Sequence, residues 1–130
     1  MMKFADYAQL DGIAAAEGIR NRDFTSAELT ACAIDRAITV NPSINAIVHE
    51  SFELAQEQAQ RFDSESQLLH GSRVAGLPFL IKDLAEVGGI ATSFGSALFE
   101  NHIPRAHSNI AAKYIAAGLP ILGKTNTPEF

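Results

Sequence analysis

Two ionisable residues close an apolar run, Val74-Ala75-Gly76-Leu77-Pro78-Phe79-Leu80-Ile81-Lys82-Asp83. Bounded by Gly76 and built of bulky residues, the run reads as a short buried strand. Side chains alternate along a strand, so Leu80 and Lys82 point to one face while Phe79, Ile81 and Asp83 point to the other. An ammonium carried by such a strand either snorkels back to water along its own methylenes or is held in a pocket for chemistry. Asp83, facing away from Lys82, reads as a structural partner or capping carboxylate rather than as an acid catalyst. Ser93 and Ser96 fall in a polar stretch whose hydroxyls are expected to bond the local backbone. A second lysine, Lys124, invites a second catalytic reading, but it opens the polar run Lys-Thr-Asn-Thr-Pro-Glu, which reads as a turn after a second strand.

Other chemistry-bearing patterns carry less. Gly118-x-x-x-x-Gly123-Lys124-Thr125 spells a phosphate loop, but its four variable residues are Leu, Pro, Ile and Leu, which should themselves be strand. Pro120 removes an amide that a phosphate would need, and Pro128 leaves no room for the helix that follows a true phosphate loop. His49, His70, His102 and His107 lack ligand spacing, and His102 and His107 straddle Pro104 as loop residues do. A metal site is not expected from this pattern. The single cysteine, Cys32, lies among Leu29, Ala33 and Ile34 at helical spacing and reads as a core thiol.

The elements that must position Lys82 follow from the pattern. Residues 6–20 read as a first helix, broken at Asn21-Arg22-Asp23-Phe24. Thr25-Ser26-Ala27-Glu28 is a capping-box sequence opening a second helix, which is expected to end near Asn41 because Pro42 disfavours helical geometry before it. Residues 44–48 suit a short strand and 51–69 a third helix, with a loop at 70–73. Beyond Asp83 come Gly88-Gly89 and a polar loop. A small-residue helix capped by Ser108 or Asn109 then runs to about Ala117, and Gly118 supplies its left-handed end. Residues 119–122 read as a second apolar strand. Strand, helix and strand in that order predict a βαβ-like unit and an α/β sheet.

With 130 residues, the chain holds one domain at most and buries about two-thirds of its extended surface on folding. Hydrophobic content of 47% and charged content of 19% are ordinary for a globular protein. A net charge of −5 without any basic block argues against nucleic acid as a partner. No stretch reaches the length of a membrane span and the amino end lacks an apolar signal core, so a cytoplasmic location is expected.

Three blocks stand in one order at compact spacing: Gly-Leu-Pro-Phe-Leu-Ile-Lys-Asp at 76–83, Thr-Ser-Phe-Gly-Ser at 92–96 and Ala-Gly-Leu-Pro-Ile-Leu-Gly-Lys-Thr-Asn-Thr-Pro-Glu-Phe at 117–130. Together with Asn41-Pro42-Ser43-Ile44-Asn45-Ala46, they resemble the N-terminal part of an amidase signature family hydrolase. The resemblance spans nearly the whole chain and is most specific over 74–130. It implies an α/β/α sandwich, helices first and then part of a mixed sheet. It also implies a single incomplete domain, with a mainly helical region at 1–73 and a strand–loop–helix–strand region at 74–130 that carries the catalytic lysine.

Enzymes of that family hydrolyse or transfer amide nitrogen with a Ser–Ser–Lys triad, and the resemblance implies no metal or organic cofactor. The lysine of their Gly-x-Pro-x-x-x-Lys-Asp segment maps onto Lys82, which the resemblance makes a neutral base with a pKa lowered by burial. Both serines and the oxyanion loop come downstream of the Gly-Lys-Thr-Asn segment in such enzymes, so the chain carries one of three catalytic side chains. A lesser departure is His107, near which the family usually has an aspartate. The expectation is an N-terminal piece of an amidase, acting on a small-molecule amide once complete and inactive alone, because triad members act as a unit. The alternative is a non-catalytic interaction module that associates through an exposed sheet edge. On either reading an incomplete sheet favours self-association or pairing with the missing C-terminal part.

Overall fold

The computed structural model describes residues 4–65 and 71–130. A short helix α1 (Phe4–Tyr7) is followed by α2 (Gly12–Asn21) and the long α3 (Ser26–Ile44). Then come β1 (Ile47–Glu50), α4 (Phe52–Ser64), β2 (Phe79–Lys82), α5 (Asn109–Ala116) and β3 (Ile121–Thr125). Sheet order is β1-β3-β2, with β1 antiparallel and β2 parallel to β3. The parallel pair, joined through α5, is the expected βαβ unit, and the fold is α/β with a small mixed sheet.

Helices and loops cover both faces of the sheet. On one face, Ile81 and Ile121 pack with Val87, Ile90, Leu119 and Ala111 of α5. On the other, Leu122 packs with Ala33 of α3 and Ala55 of α4, and Leu80 lies against them. A third cluster of Ala15, Ile19, Leu29, Phe62 and Ala75 ties α2, α3 and α4 to the segment before β2. Among the described residues no helix is long and apolar enough to cross a membrane.

The capping box opens α3 as expected. Thr25 Oγ1 accepts from the Glu28 amide and Glu28 Oε2 accepts from the Thr25 amide, each at 3.1 Å. Three expectations need correction. The single helix over 6–20 is two, because the Asp11 carboxylate captures the Ala14 amide at 2.8 Å and starts a new helix there. Helix α3 does not stop at Asn41 but carries Pro42 inside its last turn, where the missing amide deprives only the Ile38 carbonyl on an exposed face. It ends at Asn45 in the left-handed region (φ 47°), while the Asn41 side chain binds both the amide and the carbonyl of Ile47. The third helix ends at Ser64; the expected continuation over 66–69 and the loop residue His70 lie outside the described residues.

The third correction concerns the strands, of which the first, expected at 44–48, runs over 47–50 because Ile44 is the last residue of α3. Within the apolar run only 79–82 is strand, and 74–77 forms a turn before it. The second strand is 121–125, not 119–122, so Lys124 lies inside the sheet rather than in a turn after it. Gly118 ends α5 in the left-handed region (φ 81°) as expected. Gly123 is demanded by close approach, since a Cβ there would stand 2.1 Å from the His49 carbonyl oxygen of β1.

Candidate active site

Strand register brings the ionisable residues together. Lys124 on β3 pairs with Ile81 on β2 and with His49 on β1. Paired residues share a face, and Asp83, two beyond Ile81, falls on that same face. Lys82 pairs with Thr125 and points to the opposite one. The alternation expected from sequence holds: Ile81 and Asp83 are buried, whereas Lys82, the last residue of β2, is exposed.

Asp83 and Lys124 form a fully buried ion pair, both side chains being 0% exposed. Lys124 Nζ donates to Asp83 Oδ1 at 3.0 Å and to Thr92 Oγ1 at 2.8 Å. The Ser93 amide (3.0 Å) and hydroxyl (2.5 Å) both donate to Asp83 Oδ2. His49 Nε2 stands 3.7 Å from the same oxygen without a hydrogen-bond partner. Burial pushes the Asp83 carboxyl up, but the Ser93 and Lys124 hydrogen bonds and the ammonium charge outweigh it and hold it below the usual carboxylate range. Burial pushes the Lys124 ammonium down, opposed by Asp83 and more weakly by Glu86. Asp83 is the anion of the cluster and Lys124 its counterion.

This arrangement sets the two strand lysines apart. Lys124 is the buried one, yet its ammonium is spent on Asp83 and Thr92. The cluster also holds Ser, Asp and His, but the carboxylate sits between serine and imidazole, so no imidazole is placed to take a proton from Ser93. Ser93 is not an activated nucleophile: its hydroxyl donates to Asp83 and accepts from the Gly95 amide at 3.3 Å. Ser96 donates to Glu129 at 2.7 Å, a partner 33 residues away rather than the local backbone expected. Ser108 occupies the first position before α5 as expected, although its hydroxyl donates to the Glu86 carbonyl at 3.1 Å rather than to a helix amide.

The remaining sequence candidates fall outside the cluster. His102 binds Glu86 at 2.8 Å, and His107 Nδ1 accepts from the Gly88 amide at 3.0 Å. The phosphate-loop spelling at 118–125 is strand from Ile121 onward, and its lysine faces Asp83. Cys32 is buried; desolvation, then the carboxylates of Asp35, Glu28 and Asp6, push its thiol up, the opposite of an activated nucleophile. Lys124 and Thr92 are the members that sequence reasoning missed. One signal was available: a lysine spaced to lie beside an inward-facing aspartate on a parallel neighbour.

Lys82 stands elsewhere, at the carboxyl end of β2, where open parallel sheets receive their ligands. Its carbonyl accepts from the Ala85 amide at 3.0 Å, and the next amide, of Asp83, donates to the Thr125 carbonyl at 3.0 Å. The strand end is tied on the backbone, and among the described residues nothing binds the amine.

A family model described as Amidase matches residues 28–130. The chain is 34% identical over 113 residues to a glutamyl-tRNA(Gln) amidotransferase subunit of Hahella chejuensis, covering 87% of this chain and 23% of that protein. It is 36% identical over 114 residues to the corresponding subunit of Rickettsia bellii, covering 88% and 23%. The fold matches the peptide amidase of Stenotrophomonas maltophilia with a TM-score of 0.88 at 25% identity, over 98% of this chain and 26% of that one. The chain thus spans about a quarter of the length of the relatives it matches. A parallel pair with its glycine-bounded lysine strand, a chain-long fold match and the family model agree: the chain belongs to the amidase family.

Proposed function

We propose that residues 1–130 supply the first part of an amide-hydrolysing site and that Lys82 is its proton acceptor. One observation carries this reading. Of the two lysines on the parallel strands, Lys124 is consumed by a buried carboxylate, while Lys82 sits at the carboxyl end of its strand with its amine bound by none of the described residues. A lysine acts as a base only when neutral, which requires that burial lower its pKa. Lys82 is exposed in this chain, so that burial has to come from polypeptide covering the carboxyl end of β2. A nucleophilic serine and a bridging serine would be supplied there too, completing a Ser–Ser–Lys triad in which the proton passes from nucleophile to lysine.

On this reading 1–130 is one incomplete domain, with a mainly helical region expected at 1–73 and the lysine-bearing strand–loop–helix–strand region at 74–130. By itself it is inactive. The substrate of the complete enzyme is a small-molecule amide, the setting is cytoplasmic, and the 130-residue chain, at a net charge of −5, has low affinity for nucleic acid. The test is ammonia release from simple amides by the 130-residue chain alone, and by the chain fused to the remaining three-quarters of a peptide amidase. The chain alone is expected to be silent, the fusion active, and the fusion carrying Lys82→Ala dead. An active fusion indifferent to Lys82→Ala overturns the assignment.

A second reading is favoured by the sheet itself. Strands β1 and β2 each pair on one side only among the described residues, which suits self-association or docking on another chain without catalysis. Sedimentation giving a concentration-independent monomer counts against it.

A further inference from the structure

We propose that Lys124 and Asp83 are positioning residues for Lys82: their buried pair fixes the strand end that aims its amine. The inference rests on the reading of Lys82 as a base. Among the described residues, no ion pair or hydrogen bond holds the Lys82 amine, so what the fold sets is the point and face at which its side chain leaves the strand. The backbone there is anchored one residue later. The Asp83 amide donates to Thr125, and its carboxylate takes Lys124 on one oxygen and two Ser93 donors on the other. Lys124 is fixed in turn by Thr92, whose own amide donates to the His102 carbonyl at 3.0 Å and whose hydroxyl donates to the Ile90 carbonyl at 3.4 Å. Strand β3 and the 90–102 loop therefore converge on the residue next to Lys82, from the face opposite to the one its side chain uses.

Stability alone does not account for such a pair. Two charges taken out of water recover little more than well-packed apolar groups of the same volume would, and often less. What the pair adds is direction. An ammonium with two acceptors and a carboxylate with three donors admit one arrangement, whereas methylenes in the same space admit several. Alternation along the strand then transmits that single arrangement to Lys82 on the far face.

The test is the 130-residue chain carrying Asp83→Asn together with Lys124→Met, which removes both charges and leaves neither unpaired. Two quantities are read by NMR: amide exchange at residues 79–85, and the side-chain signal of Lys82 after ¹³C-dimethylation. With the thermal midpoint little changed, exchange at position 83 and at Ala85 should accelerate roughly tenfold or more, equivalent to ~1.4 kcal/mol of easier local opening. Leu80 and Ile81 should be spared, and the Lys82 signal should shift or split. Thr92→Val and Ser93→Ala, milder changes, give the same signature in smaller measure and serve if the double variant does not fold. Exchange within about twofold of the parent and an unmoved Lys82 signal, in folded variants, overturn the proposal. These readings need no activity, so a failed positioning role and a failed catalytic role for Lys82 register in separate experiments.

Discussion

Replacing Lys124 by Met strands the Asp83 carboxylate. In the parent chain that carboxylate is fully buried and balanced by the ammonium 3.0 Å away, with both Ser93 donors on its other oxygen. Methionine matches the methylenes of lysine but leaves Oδ1 without a donor and the Thr92 hydroxyl without its partner. Removing one member of a buried pair typically costs about 3–5 kcal/mol, a net figure that already includes relief of the buried ammonium. Set against the ~5–15 kcal/mol that holds a small domain, the loss is measurable by urea denaturation without abolishing folding.

The pH dependence tells this mechanism from simple repacking. In the parent the Asp83 carboxyl sits below its ordinary value of 3.8. Its stabilisation is complete above that value and lost as pH falls through the lower folded one. Without the ammonium, burial is opposed by the Ser93 hydrogen bonds and no longer by Lys124, so the carboxyl's folded value rises from that of the parent. As pH falls, the variant's folded state then takes up its proton before the parent's does, so the variant loses less stability to acid than the parent. The gap between parent and variant should therefore narrow as pH falls from about 7 to about 4. A gap below about 1 kcal/mol at neutral pH, or one that does not change with pH, would refute the reasoning.

Lys82→Ala should change stability by no more than about 0.5 kcal/mol, because the side chain is exposed; a large loss in urea denaturation would mean that it packs. Brief acetylation of the native chain should modify Lys82 and Lys113 and spare Lys124, with sites read by peptide mass; early labelling of Lys124 contradicts its burial. Thr25→Ala removes half of the capping box and should cost about 1 kcal/mol by the same denaturation measurement. Gly123→Ala drives a Cβ into the His49 carbonyl and should cost about 3 kcal/mol or more; a thermal midpoint close to the parent's would show that β1 and β3 do not approach as described.

Where local chemistry decides, the sequence was legible. Thr25 and Glu28 are three residues apart and cap one another. Gly118 takes the left-handed end of α5, and period-two alternation puts Lys82 and Asp83 on opposite faces of β2. Each of these depends on neighbours within a few residues. So does the capture of Ala14 by Asp11, a cap that an otherwise unbroken run of helix formers conceals. Pro42 behaves otherwise because a proline penalty is local, whereas the Asn41–Ile47 bonds that hold the helix end reach across to the next strand.

By itself, then, the sequence determined the capped helix, the strand that presents Lys82, the βαβ order and the family resemblance carried by its motifs. Only the tertiary structure decided what Lys124 is. A charge at the end of an apolar run reads as a strand reaching water, because the energy of burying it depends on a counterion. Here that counterion is 41 residues away along the chain and 3.0 Å away in space, and only the pairing of β2 with β3 makes the two distances compatible.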